Sequence, residues 1–188
     1  MNERVPFQVT RGAERYDALG EIPVSILLDD VRSMYNVGAF FRTADAAAIE
    51  RLYLCGITAP PTQSAVAKTA LGAEQTVRWQ HAPQPVALLR QLRASGHQLV
   101  ALETSPHAVD LFDWKPQFPV CVLFGNEVEG LKPELLSLCD VCVRIPMLGL
   151  KHSLNVATAG GVVMYELLRK YRDLVESASG RHLRASNT

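Results

Sequence analysis

The sequence predicts an α/β domain: a mostly parallel six-stranded sheet with helices on both faces. Three observations predict it. Short apolar runs rich in β-branched residues alternate with stretches of helical pattern. The runs are continuously apolar, which is how strands covered on both faces read. No repeat or low-complexity linker interrupts them, and 188 residues suit one domain.

Taken in order, the elements are as follows. A strand is expected over 24–28, then a helix near 37–48 for which Asn36 is a good N-cap. A strand over 51–55 precedes a helix near 64–73. A strand over 76–79 and a helix near 85–95 come next. Strands over 98–102 and 120–124 follow, then a short helix near 132–139 and a strand over 141–145. A long helix near 154–177 closes the domain, with Ser153 as its expected N-cap. Residues 1–23 read as an N-terminal extension, 24–178 as the folded domain and 179–188 as a polar tail.

Composition excludes several classes. With 48% hydrophobic and 20% charged residues, the chain is foldable rather than disordered. Its apolar runs fall well short of the ~18 to 20 residues of a membrane span. No basic segment followed by an apolar one opens it, so the expectation is a cytoplasmic protein with no membrane partner. Nineteen basic and nineteen acidic groups cancel, which argues against binding nucleic acid by bulk charge. The charge is nevertheless blocked. Residues 60–99 carry four basic groups against one acidic, 100–140 seven acidic against two basic, and 141–188 seven basic against three acidic. Cys139 and Cys142 form a C-x-x-C, but no second close Cys or His pair completes a metal set. The four cysteines are therefore expected as reduced thiols, with no metal.

In an open α/β sheet ligands bind beyond the carboxyl ends of the strands. Three strand-end loops stand out. The first, Asp29 to Ala44, holds Asn36, Gly38 and Arg42; Gly38, Arg42 and Asp45 share helical spacing. An arginine there suits a two-pronged grip on phosphate or carboxylate, and a surface pair with Asp45 is the plainer alternative. The second, Gly125-Asn126-Glu127-Val128-Glu129-Gly130-Leu131, brackets two carboxylates with glycines that permit close approach of backbone to ligand. Neither a dinucleotide fingerprint nor a P-loop is present. The third, Pro146 to Ala157, carries His152, Ser153 and Asn155 into the long helix. A lone loop histidine such as His152 is ordinarily just solvated. Gly160-Gly161 costs about 1 kcal/mol per residue in a helix, so close packing against that face is expected.

Together these loops resemble the three motifs of the SpoU/TrmH-type RNA ribose 2′-O-methyltransferases of the SPOUT class. The matching residues are Asn36-x-Gly38-x-x-x-Arg42-Thr43-Ala44, Phe124-Gly125-x-Glu127-x-x-Gly130-Leu131, and Ile145-Pro146-Met147 with Ser153-Leu154-Asn155-Val156. Each motif alone is weak; all three in order after strands are specific. The resemblance spans roughly 24–170 and departs at Ala157, where many members have serine. It implies a deep C-terminal trefoil knot, which generic topology rules would reject. It implies an obligate homodimer with the site shared between subunits, and S-adenosylmethionine as methyl donor. Cofactor contacts would come from Leu102, Gly125, Ile145, Met147, Ser153 and Leu154. Arg42, Asn36, Glu127, Asn155 and Ser153 would form the catalytic set.

Arginine as a literal general base is physically poor, since guanidinium has no free lone pair at neutral pH. Clamping the neighbouring phosphate and stabilising the developing alkoxide suit it better. The substrate expected is RNA, with tRNA favoured over rRNA because small members of the family resemble tRNA enzymes. Basic residues near the ends are candidates to touch it: Arg169, Lys170, Arg172, Arg181 and Arg184, with Arg4, Arg11 and Arg15 behind them. Rival readings are an rRNA 2′-O-methyltransferase, a SPOUT base methyltransferase and a weakly active knotted RNA-binding protein. The intact Asn36 and Arg42 weigh against the second, and the retention of all five catalytic candidates weighs against the third.

Overall fold

A computed structural model describes residues 19–178. The elements are β1 (Ile22–Asp29), α1 (Met34–Ala46), β2 (Ile49–Cys55), α2 (Ser64–Ala70), a 3₁₀ turn (Ala73–Gln75), β3 (Trp79–Ala82) and α3 (Pro85–Ala94). There follow β4 (Gln98–Leu102), β5 (Val109–Asp110), β6 (Val120–Phe124), α4 (Pro133–Leu136), β7 (Val141–Arg144) and α5 (Val156–Ala178). The strands form one sheet in the order β3-β2-β1-β6-β4-β7-β5. Every strand pairing in it is parallel.

Strand pleating divides the core in two. On β1, Ile22, Val24, Ile26 and Leu28 face one side, while Leu27 faces the other. On β6, Val120, Val122 and Phe124 join the first side and Cys121 and Leu123 the second. The first side is covered by α1, α2 and α5 through Phe40, Phe41, Val66, Val163 and Leu167; the second by α3 and α4 through Leu88, Leu89, Leu92 and Leu135. Both faces are thus buried, as unbroken apolar runs require. Phe40 meets Phe124 edge-on at 5.1 Å, fixing α1 over the end of β6.

Among the described residues the sheet has seven strands rather than the expected six. The extra one, β5, is two residues long and pairs Val109 with Val143 and Asp110 with Arg144. Nothing apolar or periodic announces so short an edge strand. β1 begins at Ile22, ahead of the expected boundary, because Ile22 N–H donates to the Ala48 carbonyl at 2.8 Å; Pro23, which has no N–H, falls at a register shift. β3 lies over Trp79–Ala82 instead of 76–79, because Thr76 closes the preceding 3₁₀ turn, its N–H donating to Ala73 O at 3.2 Å. α2 stops at Ala70, where Leu71 and Gly72 turn left-handed.

Two expected caps are displaced. Ser33, not Asn36, caps α1: its Oγ accepts from Asn36 N–H at 3.3 Å, and the helix starts at Met34. Asn155, not Ser153, caps α5: its Oδ1 accepts from Ala157 N–H at 2.9 Å and Thr158 N–H at 3.2 Å. Gly160 does have the close neighbour its cost suggested. A Cβ there would lie 2.3 Å from Phe40 Cε1. All four cysteines are free. Burial pushes the thiols of Cys55 and Cys139 up to about 12, and those of Cys121 and Cys142 upward as well. Among the described residues, no helix is long and apolar enough to cross a membrane.

Candidate active site

Parallel strands place all their carboxyl ends along one edge of the sheet. There β1, β6 and β7 deliver the three loops singled out in the sequence, and Glu127 joins them. Its Oε2 accepts from Arg32 N–H at 3.2 Å, and its Oε1 from Ser33 N–H at 3.3 Å and Asn36 Nδ2 at 3.0 Å. Asn36 Oδ1 in turn accepts from Asn155 Nδ2 at 3.2 Å. One side chain from each loop therefore enters a single hydrogen-bonded chain, Glu127–Asn36–Asn155. Partial burial opposes the Glu127 charge, but the N–H groups around it, its own backbone and Arg32 first, outweigh that. Its carboxyl lies below the ordinary range.

Beside this chain lies a cleft of about 540 Å³, a volume that suits a small-molecule ligand. Leu102, Gly125, Ile145, Met147, Ser153 and Leu154 all line it, as do Glu127 and Asn155. The second loop forms its floor by folding on itself. Asn126 and Gly130 exchange backbone hydrogen bonds at 3.2 and 2.9 Å, and Asn126 Oδ1 accepts from Val128 N–H at 2.9 Å. Gly125 is obligatory here: a Cβ would sit 2.2 Å from the carbonyl carbon of Gly130.

Arg42 stands apart. It is exposed on α1, six positions past Asn36 and so about 9 Å further along the helix axis, and it does not line the cleft. Its expected surface partner is also engaged elsewhere, since Asp45 Oδ1 accepts from Thr76 Oγ1 at 2.6 Å. Gly38, which shares the same spacing, faces inward, where a Cβ would meet Thr69 Cβ at 2.5 Å. Asn36 is half-buried and reaches the cleft only through Glu127 and Asn155.

The C-terminal basic candidates are committed within the chain. Lys170 Nζ donates to the carbonyls of Leu111, at 2.7 Å, and Trp114, and lies over the Trp114 ring. Arg169 pairs with Glu166 and Asp173, and Arg172 with Asp173. Arg4, Arg11, Arg15, Arg181 and Arg184 lie outside the described residues.

Several residues at this edge were not singled out from the sequence. Glu103, Thr104 and Arg144 line the cleft; His152, named in the third loop from the sequence, lines it as well and is exposed as a lone loop histidine should be. Asp30 and Lys132 pair at 2.6 Å, and the carbonyl of Asp30 accepts from Asn126 Nδ2 at 3.0 Å, tying the first loop to the second. The hydrogen bond from Lys132 holds the Asp30 carboxyl below its ordinary value. Burial pushes that of Asp29 above it, against the pull of Lys132. Glu103 and Arg144 sit at strand ends, so the rule that found the three loops could have found them too.

Residues 23–165 match the sequence model of the SpoU rRNA Methylase family. The chain belongs to that family. Among SpoU relatives, the tRNA (guanosine(18)-2′-O)-methyltransferase of Escherichia coli is 28% identical over 164 residues, 87% of this chain and 69% of that one. The 23S rRNA (uridine(2479)-2′-O)-methyltransferase of Streptomyces viridochromogenes is 32% identical over 178 residues, 90% of this chain and 62% of that one. Of solved SpoU-like structures, an AdoMet-bound rRNA methyltransferase from Sinorhizobium meliloti superposes with a TM-score of 0.73 at 34% identity. That match covers 80% of this chain and 56% of the other. The chain spans 60% to 69% of the length of the curated relatives it matches.

Proposed function

We propose that this chain transfers a methyl group from S-adenosylmethionine to a ribose 2′-hydroxyl of RNA, with tRNA as the favoured substrate. The observation that carries the reading is the Glu127–Asn36–Asn155 chain, which gathers all three SpoU motifs at the rim of the 540 Å³ cleft. The AdoMet-bound relative and the 2′-O-methyltransferase relatives support it. An rRNA substrate is the second reading, favoured by the Streptomyces relative.

The cleft fits such a donor. It offers apolar walls at Leu102, Ile145, Met147 and Leu154, and a floor loop that can close because Gly125 has no Cβ to meet the backbone of Gly130. The cofactor supplies the methyl carbon on a sulfonium, a leaving group that needs no acid. The protein's work is then to orient the donor, position the 2′-hydroxyl in line and ease departure of its proton. Leu102, Gly125, Ile145, Met147, Ser153 and Leu154 hold the donor. Glu127 fixes the floor loop to the start of α1, and Asn155 ties the third loop to Asn36. Arg42 clamps the phosphate next to the target ribose and stabilises the alkoxide as it forms; the phosphate oxygen takes the proton.

Because Arg42 lies away from the cleft of its own subunit, this reading requires a homodimer in which Arg42 serves the partner subunit's cleft. Exposed apolar side chains such as Tyr35, Leu148 and Leu150 suit burial between copies. The trefoil knot implied by the motif resemblance belongs to the same proposal.

The test is transfer of labelled methyl to tRNA and, separately, rRNA lacking their own modifications, followed by nucleoside analysis. A 2′-O-methylated nucleoside in tRNA, reduced about 10²-fold in Arg42→Ala, is the expected result. Product from rRNA alone selects the second reading. A methylated base, or no transfer despite cofactor binding, overturns both.

A further inference from the structure

Four ionisable side chains line the cleft: Glu103, Glu127, Arg144 and His152. Both oxygens of Glu127 are occupied by the first loop. Glu103 differs. It follows the last residue of β4, at the carboxyl edge of the sheet, and its backbone is fixed by donation from its N–H to Val143 O at 3.0 Å. Its Oε1 accepts from Leu131 N–H at 2.7 Å, pinning the far end of the floor loop. That contact depends on Gly130, which has φ +72; a Cβ there would lie 2.6 Å from Glu103 Oε1. Its Oε2 has no hydrogen-bond donor among the described residues, and it is not among the buried polar atoms left without one. A half-buried carboxylate thus spends one oxygen on the protein and leaves the other open.

We propose that Glu103 reads the ribosyl diol of the nucleoside cofactor, with Oε1 holding the floor loop and Oε2 accepting from the cofactor's ribose hydroxyls. This rests on the methyl donor binding in this cleft. A carboxylate only accepts, so its natural ligand is a group that only needs to donate, and two adjacent hydroxyls supply that. A carboxylate beyond a parallel strand's end serves the same purpose in open α/β nucleotide sites. Glu103 then couples recognition to loop position, because the carboxylate whose Oε2 meets the ribose holds Leu131 through Oε1.

The test measures binding of S-adenosylhomocysteine, 5′-methylthioadenosine and the 2′-deoxy form of the latter to the full chain and to Glu103→Gln. Glutamine keeps a carbonyl oxygen for Leu131 N–H but loses the charged acceptor, so its melting temperature should match the parent's. The expected result is about tenfold weaker binding of both ribosyl ligands by the variant. The 2′-deoxy ligand should lose about tenfold in the parent and nothing further in Glu103→Gln. A deoxy penalty of equal size in both proteins overturns the proposal. So does a loss confined to S-adenosylhomocysteine, which would place Glu103 at the amino-acid end, or no loss at all, which would leave it a loop anchor. Failure of the parent to bind any of the three would instead overturn the methyltransferase reading.

Discussion

Asn155 does two jobs with one amide: its oxygen caps α5 and its nitrogen reaches Asn36. The two can be separated. Asn155→Asp keeps an N-cap acceptor and adds charge favourable to a helix start, so stability should hold. It also turns the donor toward Asn36 into a second acceptor, so turnover should fall about tenfold. Asn155→Ala should lose about 1 kcal/mol of stability in addition. Thermal melts beside methyl-transfer rates read both effects. Glu127 makes a pH prediction. Its carboxyl is held below the ordinary value of 4.5, so its stabilisation is complete above that value and is lost as pH falls through the depressed folded value. Melting temperature followed downward from roughly pH 5 should therefore drop more steeply in the parent than in Glu127→Gln. Lys170, read from sequence as a candidate RNA contact, is instead a clamp on the 111–114 turn. Lys170→Met should cost about 1–3 kcal/mol in unfolding by denaturant and leave RNA affinity unchanged. A basic residue's sign is visible in a sequence, but the carbonyls that claim it are brought there only by the fold.

At the scale of elements, Gly160 and Gly161 are neighbours in sequence and opposites in setting. Gly160 lies under the Phe40 ring, whereas a Cβ on Gly161 would meet only Thr43 Cγ2 at 4.0 Å. Gly160→Ala should destabilise by about 1–3 kcal/mol through forced separation of α1 and α5. Gly161→Ala should stabilise by up to about 1 kcal/mol, since alanine is the better helix former. Differential scanning calorimetry on the pair decides both. The sequence showed the doublet's cost and the need for a close neighbour, but not which glycine has it. Strands buried on both faces were legible because their apolar runs are unbroken, as in β1, β4 and β6. β5 was not, because two residues carry no period, and β3 was misplaced because the Thr76 N–H closes a turn onto Ala73. The helix starts moved for a related reason. Serine and asparagine are both good caps, and the contest between them is settled by Glu127 and Asn36, which arrive from other parts of the chain.

For the whole molecule, the proposed shared site makes a prediction that no single subunit can mimic. Arg42→Ala and Glu127→Ala should each be nearly inactive alone. Mixed in equal amounts and allowed to exchange subunits, they should recover about a quarter of the parent's activity, because half the dimers are mixed and each carries one intact site. Recovery absent after confirmed exchange would place Arg42 and Glu127 in the same subunit's site. The motifs were legible because each follows a strand and all strand ends share one edge. Arg42's distance from its own cleft was not, because helical spacing says nothing about which copy a side chain serves.

The thiols carry a practical consequence. Alkylating reagents attack the thiolate, and burial disfavours that form at all four sulfurs. Cys55 and Cys121 are buried and Cys139 and Cys142 half-buried, so the native thiols should label slowly beside an exposed cysteine. A single cysteine placed at exposed Tyr35 should take up a fluorophore ahead of them. Its emission would then follow subunits meeting and parting in real time without any native cysteine being removed.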